Sequence, residues 1–304
     1  DETGFLQVHA GNEKHYYEYK SGKSGKGGDY EYEYKTPTEP PHPTEAPAPS
    51  PPEFECEIAE PQSPRNVTPG YEGGKTPRVF PLKSINATSN PLLQANIHFH
   101  LGAEHYSEGQ YDMDPPVTHS TDGGHDDPTP GYFCPTSDLS QEELKDYTFE
   151  HCEGTKVGNT YEFHWVFSVG AGLEVGGEAV LTDTLAGAFT RADNPAVLVR
   201  GQVCRIINDD TQNYDDFIHQ WRAPDNAVRY MGSTTGTSYN NQVCSRAQVS
   251  WHVDIDCCTL SAQVLDETCR QMEEQGMKTD LEPHGSRELV AKELAPDEAY
   301  DLKD

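Results

Sequence analysis

The sequence is poor in basic residues and contains no long hydrophobic run. Lys and Arg number 22 against 51 Asp and Glu, which gives a formal net charge of −29. Nucleic acids and anionic membrane surfaces are bound by basic surfaces, so this composition argues against both partners. No uninterrupted apolar stretch reaches about 18 residues, so we expect no membrane-spanning helix. The 304 residues leave room for one large domain or two small ones.

Three features of the sequence bear on its compartment. The eight cysteines are an even number that suits a disulfide framework, and Asn66 and Asn86 each begin an N-glycosylation sequon. The chain opens at Asp1 without Met or an apolar leader, as expected of a mature form after signal removal. Each feature is weak alone, because sequons arise by chance and cysteines also bind metals. Together they predict a secreted, cell-surface or lumenal protein, where disulfides persist.

The first 55 residues have a composition unlike that of a packed core. A Gly- and Lys-rich stretch at 21–29 is flanked on both sides by alternating tyrosines, a pattern that a hairpin would produce. Its charge and glycine content favour a disordered polar tail instead. Residues 36–55 are Pro-rich and predict an extended linker. We therefore predict a head and linker over 1–55, a domain over 56–292 and an acidic tail over 293–304.

From residue 56 onward, short β-branched segments alternate with turns rich in Pro, Gly and Asp. Strands are expected at 97–101, 161–169, 196–207 and 249–255. This spacing predicts a mainly β fold, a single large antiparallel-sheet domain with a few short helices. One helix is expected to begin after Ser261 as its N-cap. An acidic segment at 103–160 is a long loop, and long loops are often functional.

Two histidines on one predicted strand are the first candidates for chemistry. His98 and His100 are separated by one residue, so on a strand both imidazoles lie on one face, about 6–7 Å apart. That separation suits two ligands of one metal ion. The pair is weak evidence alone, because a chain with 13 histidines produces such spacing by chance.

A third histidine lies on the next predicted strand. His164 shares a strand face with Glu162, and Asn96 stands in the same relation to His98, so both polar residues could orient a neighbouring ring. Three histidines with an open fourth position form the catalytic zinc arrangement. From the residues alone, His164 could equally be a hydrogen-bonded histidine of the core.

Read in order along the chain, these and further segments resemble carbonic anhydrases of the α-like fold, and the δ class most. The segments that carry the resemblance are QSPRNV at 62–67, NIHFHLGAEH at 96–105, EFHWV at 162–166, DNPAVLV at 193–199, YMGSTT at 230–235, Cys244 with WHV at 251–253, and TLSAQV at 259–264. Residues 284–287 match more weakly. The resemblance does not include residues 1–55 or those after about 290.

The resemblance implies a lyase that hydrates CO2 reversibly to bicarbonate and a proton through a metal-bound hydroxide. The metal would be Zn²⁺, or another divalent transition metal, held by His98, His100 and His164. Thr235 would be the residue that orients the hydroxide, and Glu104 its carboxylate partner. A slip of the match by one residue would give the role of Thr235 to Thr234.

Further roles follow from the same resemblance. Asn96 and Glu162 would orient the ligand rings, and Val166, Val197 and Trp251 would line the CO2 pocket. Cys56 would pair with Cys244 and brace the loop that carries Thr235. We also predict that Cys134 pairs with Cys152 and closes the acidic loop.

Departures from the α class leave some assignments open. Too few residues separate 66 from 96 to hold that class's proton-shuttle histidine, and only residues 101–103 separate His100 from Glu104. Both features favour the δ class. The long loop before His164 leaves other third ligands open, namely His105, His119, His125 and His151.

A second hypothesis belongs to another class of function. The chain would be an extracellular structural or assembly protein on a carbonic-anhydrase-like fold. It would self-assemble through the N-terminal segment by adding a strand to a neighbouring sheet.

Overall fold

A computed structural model describes the chain in several stretches. Backbone is described at 2–10, 13–23 and 30–34, and fuller detail at 56–76, 92–116, 128–169, 171, 181–183, 188, 195–212, 217–220 and 224–297. Contacts divide the chain into two units, residues 1–52 and 53–304.

The first unit contains a three-stranded antiparallel sheet. Its strands are β1 (Glu2–Ala10), β2 (Glu13–Lys23) and β3 (Tyr30–Tyr34), in the order β1-β2-β3. Strands β2 and β3 pair antiparallel, with Tyr19 opposite Tyr34, which is the pairing that the hairpin alternative predicts. The predicted Pro-rich linker lies outside the described residues.

The second unit is built on a five-stranded sheet. Its strands are β4 (Leu93–Leu101), β5 (Thr160–Ser168), β6 (Val197–Ile207), β7 (Val228–Ser233) and β8 (Gln248–Ser261), in the order β4-β5-β6-β8-β7. The described helices are α1 (Phe217–Gln220), α2 (Ala262–Glu274) and two 3-10 turns, Cys56–Ile58 and Lys292–Leu294. None of these helices has the length and hydropathy needed to cross a membrane. The mainly β prediction is therefore confirmed at the level of secondary structure.

The sheet is mixed, which corrects the prediction of an antiparallel sheet. Strands β6 and β8 run parallel, whereas the other neighbouring pairs in this sheet are antiparallel. A parallel pair needs a crossover of a dozen or more residues. The chain between Ile207 and Gln248 has that length, and it places α1 and β7 on the way.

Helix α2 begins where the sequence predicts it. The Ser261 hydroxyl accepts hydrogen bonds from the backbone N–H groups of Gln263 and Val264, which satisfies donors left free at a helix start. Leu265 and Met272 are buried, because the apolar side of the helix packs against the sheet.

The two faces of the sheet bury separate clusters, because side chains alternate along a strand. Phe99 and Trp165 pack with α2 on one face. Val166, Val199 and Trp251 pack on the other. A bulge between Gln94 and Asn96 shifts the alternation in β4. From Asn96 onward, the even-numbered residues of β4 and those of β5 share the face of Val166, and they include the three candidate ligands.

Four disulfides use all eight cysteines. They join Cys56 to Cys244, Cys134 to Cys257, Cys152 to Cys269 and Cys204 to Cys258. The first is the pair that the resemblance implied. The predicted pairing of Cys134 with Cys152 is wrong, because Cys134 belongs to the Trp251 cluster and Cys152 to the α2 cluster, on opposite sheet faces.

Two further observations concern the predicted regions 293–304 and 103–160. Leu294 and Ala295 are buried, so packing extends past the predicted domain end at residue 292. Asp266 on α2 accepts hydrogen bonds from the backbone N–H groups of Glu150, His151 and Cys152. This carboxylate ties the acidic segment to the helix.

Of the two sequons, Asn66 is partly buried, and Asn86 lies outside the described residues.

Candidate metal centre

Three imidazoles meet on one face of the sheet. His98 and His100 come from β4 and His164 from β5, where His164 is the direct cross-strand partner of His98. Their ring centroids lie 4.7–5.1 Å apart. All three rings are buried, and one nitrogen of each lies within 4.8 Å of the other two. A cluster with this spacing could hold a metal ion.

Each ring has one nitrogen held by an acceptor of the protein. His98 Nδ1 lies 2.5 Å from the side-chain oxygen of Asn96, and His100 Nδ1 lies 3.1 Å from the Gly285 carbonyl. His164 Nε2 lies 3.0 Å from the Glu162 carboxylate. These partners are acceptors, so the held nitrogen carries the proton and the other nitrogen offers a lone pair. That is the form in which neutral histidine binds a metal.

The distances test whether zinc fits. His98 Nε2 and His164 Nδ1 lie 3.3 Å apart. Two nitrogens bound tetrahedrally at the usual zinc distance would be about 3.3–3.4 Å apart. Two facing lone pairs at this distance repel unless a cation lies between them. His100 Nε2 is buried without a hydrogen-bond partner among the described residues. The donor set therefore fits a zinc ion.

The surroundings favour neutral rings. Burial lowers the pKa of His98 well below its usual range, with a smaller contribution from His284. Burial, again with His284, lowers the pKa of His100 to about 3. Burial also lowers the pKa of His164, although Glu162 opposes that change. Neutral imidazole is the ligating form, so the site is poised for metal binding at neutral pH.

Glu162 is the most heavily bonded carboxylate of the site. Besides His164, it accepts hydrogen bonds from the Glu104 N–H at 2.6 Å, the His105 N–H at 3.1 Å and His105 Nδ1 at 2.6 Å. Burial alone would raise the pKa of Glu162, but His105 and His164 hold it well below its usual range. These contacts fix the carboxylate beside the His164 ring, where it could orient that ring.

The rival third ligands have other surroundings. His105 lies near Glu162 and His164 within ligating distance, but its Nε2 is 2.7 Å from the Tyr230 hydroxyl, so both of its nitrogens are engaged. His151 lies at the surface, 3.1 Å from Glu273. His119 and His125 lie outside the described residues.

Glu104 lies beside the three histidines. Its Oε1 accepts a hydrogen bond from the Arg287 N–H at 2.7 Å and lies 3.4 Å from His100 Nδ1. Burial raises the pKa of Glu104, and the Thr235 hydroxyl is among the groups that oppose this rise, although Oε2 has no partner with standard hydrogen-bond geometry among the described residues. The Thr234 hydroxyl lies instead 2.6 Å from Ser245 Oγ. Thr234 therefore has another partner, and the pairing of Thr235 with Glu104 stays a prediction.

Apolar side chains line the same face. Trp251 lies edge-on to His164 with ring centroids 5.0 Å apart, and its indole N–H donates to the Ser233 carbonyl. Val166 follows His164 by two residues, and Val197 belongs to the same buried cluster.

One segment of the site was missed by sequence reasoning. His284 stacks on His98 with ring centroids 5.1 Å apart, and its backbone bonds to both Phe99 and Leu101 of β4. The next residues supply the Gly285 carbonyl and the Arg287 N–H described above. The available signal was the weak match at 284–287, because the segment has no helical or strand periodicity.

Comparison with known protein families gives a match. The family model for delta carbonic anhydrase matches residues 89–264, a span that includes the three histidines, β4–β8 and the start of α2. No curated protein and no solved structure matches the chain.

Proposed function

The chain belongs to the delta carbonic anhydrase family, and we propose that it hydrates CO2 reversibly to bicarbonate and a proton, with Zn²⁺ held by His98, His100 and His164. Family membership supports carbonic anhydrase activity in general. One observation carries the proposed metal centre. In each of the three histidine rings an acceptor of the protein holds one nitrogen, which leaves the other nitrogen free to bind a metal. Other divalent transition metals accept the same imidazole donors.

When bound, zinc acts as a Lewis acid that lowers the pKa of a coordinated water, chemistry for which carbonic anhydrases are themselves the reference case. The protein's own contribution is to fix the ligands. Asn96, Glu162 and the Gly285 carbonyl hold the three rings in the ligating tautomer. Outer partners of this kind also raise the basicity of the ligand rings.

In this proposal Thr235 and Glu104 orient the reacting oxygen. A carboxylate accepts hydrogen bonds only, so a hydroxyl beside it donates to it and keeps its own lone pairs. Thr235 would then accept a hydrogen from the reacting water and turn a lone pair of that water toward CO2. The Arg287 N–H, which donates to Glu104, supports the carboxylate in this position.

The apolar face beside His164 is the proposed CO2 pocket. CO2 is small and carries no net dipole, so it enters a site lined by Val166, Val197 and Trp251 without leaving polar groups unpaired. All three side chains are buried in one cluster on the face of the ligands.

The compartment and a second role are also proposals. Four disulfides are compatible with an extracellular protein, which we propose to be secreted, on the cell surface or lumenal, with glycans on Asn66 and Asn86. The sheet β1–β3 favours an added role in self-assembly, because its outer strands could pair with a neighbouring chain.

Metal content tests the main proposal. Elemental analysis and CO2 hydration would be measured for wild type and for the His98→Ala, His100→Ala and His164→Ala variants, with the surface variant His151→Ala as control. We expect metal and activity in wild type and in the control, and loss of both in the other three. Full occupancy and activity in His164→Ala would assign the third ligand elsewhere. A wild type with neither metal nor hydration, forming ordered fibres, would favour the structural hypothesis.

A further inference from the structure

We propose that Asp280 is a positioning residue of the metal centre. Through the side-chain amide of Asn96, Asp280 fixes which nitrogen of His98 carries the proton. This inference rests on the proposed metal site and concerns a residue beyond the matched span 89–264. Asp280 is fully buried, at 0 % exposure. One of its oxygens lies 2.6 Å from Asn96 Nδ2 and the other 3.0 Å from His284 Nε2.

The amide of Asn96 is held in one orientation by its partners. Its Nδ2 donates to Asp280 and also to the Thr182 carbonyl at 2.8 Å. Both partners are acceptors, so the amide nitrogen must face them and the amide oxygen must face the other way. A flipped amide would put two oxygens 2.6 Å apart inside the core, where their repulsion is strong.

The orientation of the amide decides which nitrogen of His98 can bind a metal. The amide oxygen lies 2.5 Å from His98 Nδ1, which must therefore carry the proton. His98 Nε2 is then the lone-pair nitrogen, and it lies on the side of His164 Nδ1, 3.3 Å away. With the amide flipped, Nδ1 would have to accept, Nε2 would carry the proton, and the ligand nitrogen would be lost.

The same carboxylate also holds the ring that packs on His98. His284 is stacked on His98 with an interplanar angle of 20°. Asp280 therefore contacts both groups that restrict His98. Asn96 decides which nitrogen of His98 is protonated, and His284 packs on the face of its ring.

Metal affinity tests the role of Asp280. Metal-free protein would be titrated with Zn²⁺ against a chromophoric chelator, and with Co²⁺ while its visible spectrum is recorded. Asp280→Asn keeps the shape but leaves one acceptor oxygen for two donors. We expect an affinity loss of about tenfold, the lower end for outer-partner changes, and an altered Co²⁺ spectrum.

A matched control and a double variant separate this role from general loosening. Asp183 accepts hydrogen bonds from the Lys278 and Thr279 N–H groups, and so anchors the same segment without touching Asn96 in the described contacts. Asp183→Asn should keep the wild-type affinity and spectrum. In an Asn96→Ala background, Asp280→Asn should weaken metal binding less than it does in wild type, because the route through Asn96 is gone and only the contact with His284 remains.

Several results would overturn the inference. They are wild-type affinity in Asp280→Asn, equal losses in Asp183→Asn, or losses that multiply in the double variant. Nitrogen NMR of metal-free wild type gives a test that needs no variant, because a proton on His98 Nε2 would contradict it. If wild type binds Zn²⁺ and only these tests fail, the role of Asp280 is rejected and the proposed function is not. If wild type binds no metal, the proposed function falls with it.

Discussion

Gly201 of β6 lies so close to Glu162 that a Cβ on it would be 3.0 Å from the carboxylate oxygen Oε1. Gly201 is the cross-strand partner of His164, which this same oxygen holds. The carboxylate is fixed by bonds to Glu104 and His105 and has little freedom to retreat. The absence of a side chain at 201 thus gives Glu162 the space it needs beside the site.

Gly201→Ala should therefore weaken metal binding. The added methyl would displace the Glu162 carboxylate by a few tenths of an ångström and disturb the ring of His164. We expect an affinity loss of about tenfold, as for other changes to the partner of a ligand, measured by Zn²⁺ competition titration. An unchanged affinity would show that the carboxylate can move without affecting the ring.

Thr235→Val should keep the metal and reduce the rate. It removes one preorganised hydrogen bond, so kcat for CO2 hydration should fall by about two orders of magnitude while metal content stays at the wild-type level. Thr234→Val is the matched variant. It loses the hydrogen bond to Ser245, which should lower the free energy of unfolding by about 1 kcal/mol. Its rate of CO2 hydration should stay at the wild-type level. If CO2 hydration is slow in Thr234→Val and as fast as wild type in Thr235→Val, the orienting role belongs to Thr234 instead.

The Cys56–Cys244 disulfide should contribute strongly to stability. It closes a loop of 188 residues, for which the chain-entropy model gives a contribution of about 5 kcal/mol. Replacing both cysteines by Ser should lower the free energy of unfolding, measured in urea.

Peptide mapping without reductant should recover Cys134 linked to Cys257, and a Cys134 peptide linked to Cys152 would contradict the structure.

His252 should make the fold less stable in mild acid. Burial, with the charges of Arg229 and Arg200, lowers the pKa of His252 to about 4, against an ordinary value of 6.5. Between these values the unfolded chain binds more protons, so stability contributed by the neutral ring is lost as pH falls from about 6.5 to 4. His252→Gln should reduce this loss in urea unfolding of metal-free protein across that range.

The control for His252→Gln is His151→Gln, at the surface beside Glu273. It should follow the wild-type pH dependence. If His252→Gln loses stability in acid as steeply as wild type, another group dominates that range.

Local periodicity explains what the sequence could predict. Alternation along β4 and β5 correctly brings His98, His100 and His164 to one face, and Ser261 marks the start of α2. These features depend on residues a few positions apart. The roles suggested by resemblance for Thr235 and Glu104 stay predictions.

What the sequence could not predict depends on distant parts of the chain. The segment with Asp280, His284 and Gly285 has no periodicity, and its place beside His98 depends on how the chain returns after α2. The parallel pairing of β6 with β8 depends on the path of the crossover. The partner of Cys134 depends on which sheet face each cysteine occupies.

The neighbouring cysteines of β8 have a consequence for strand alignment. Cys257 is bonded to Cys134 on the ligand face, and Cys258 to Cys204, whose side chain lies in the α2 cluster. A slip of β8 by one residue would turn each sulfur toward the wrong layer. The two bonds together therefore lock the strand against sliding, and a one-residue insertion between Val253 and Cys257 should prevent both from forming.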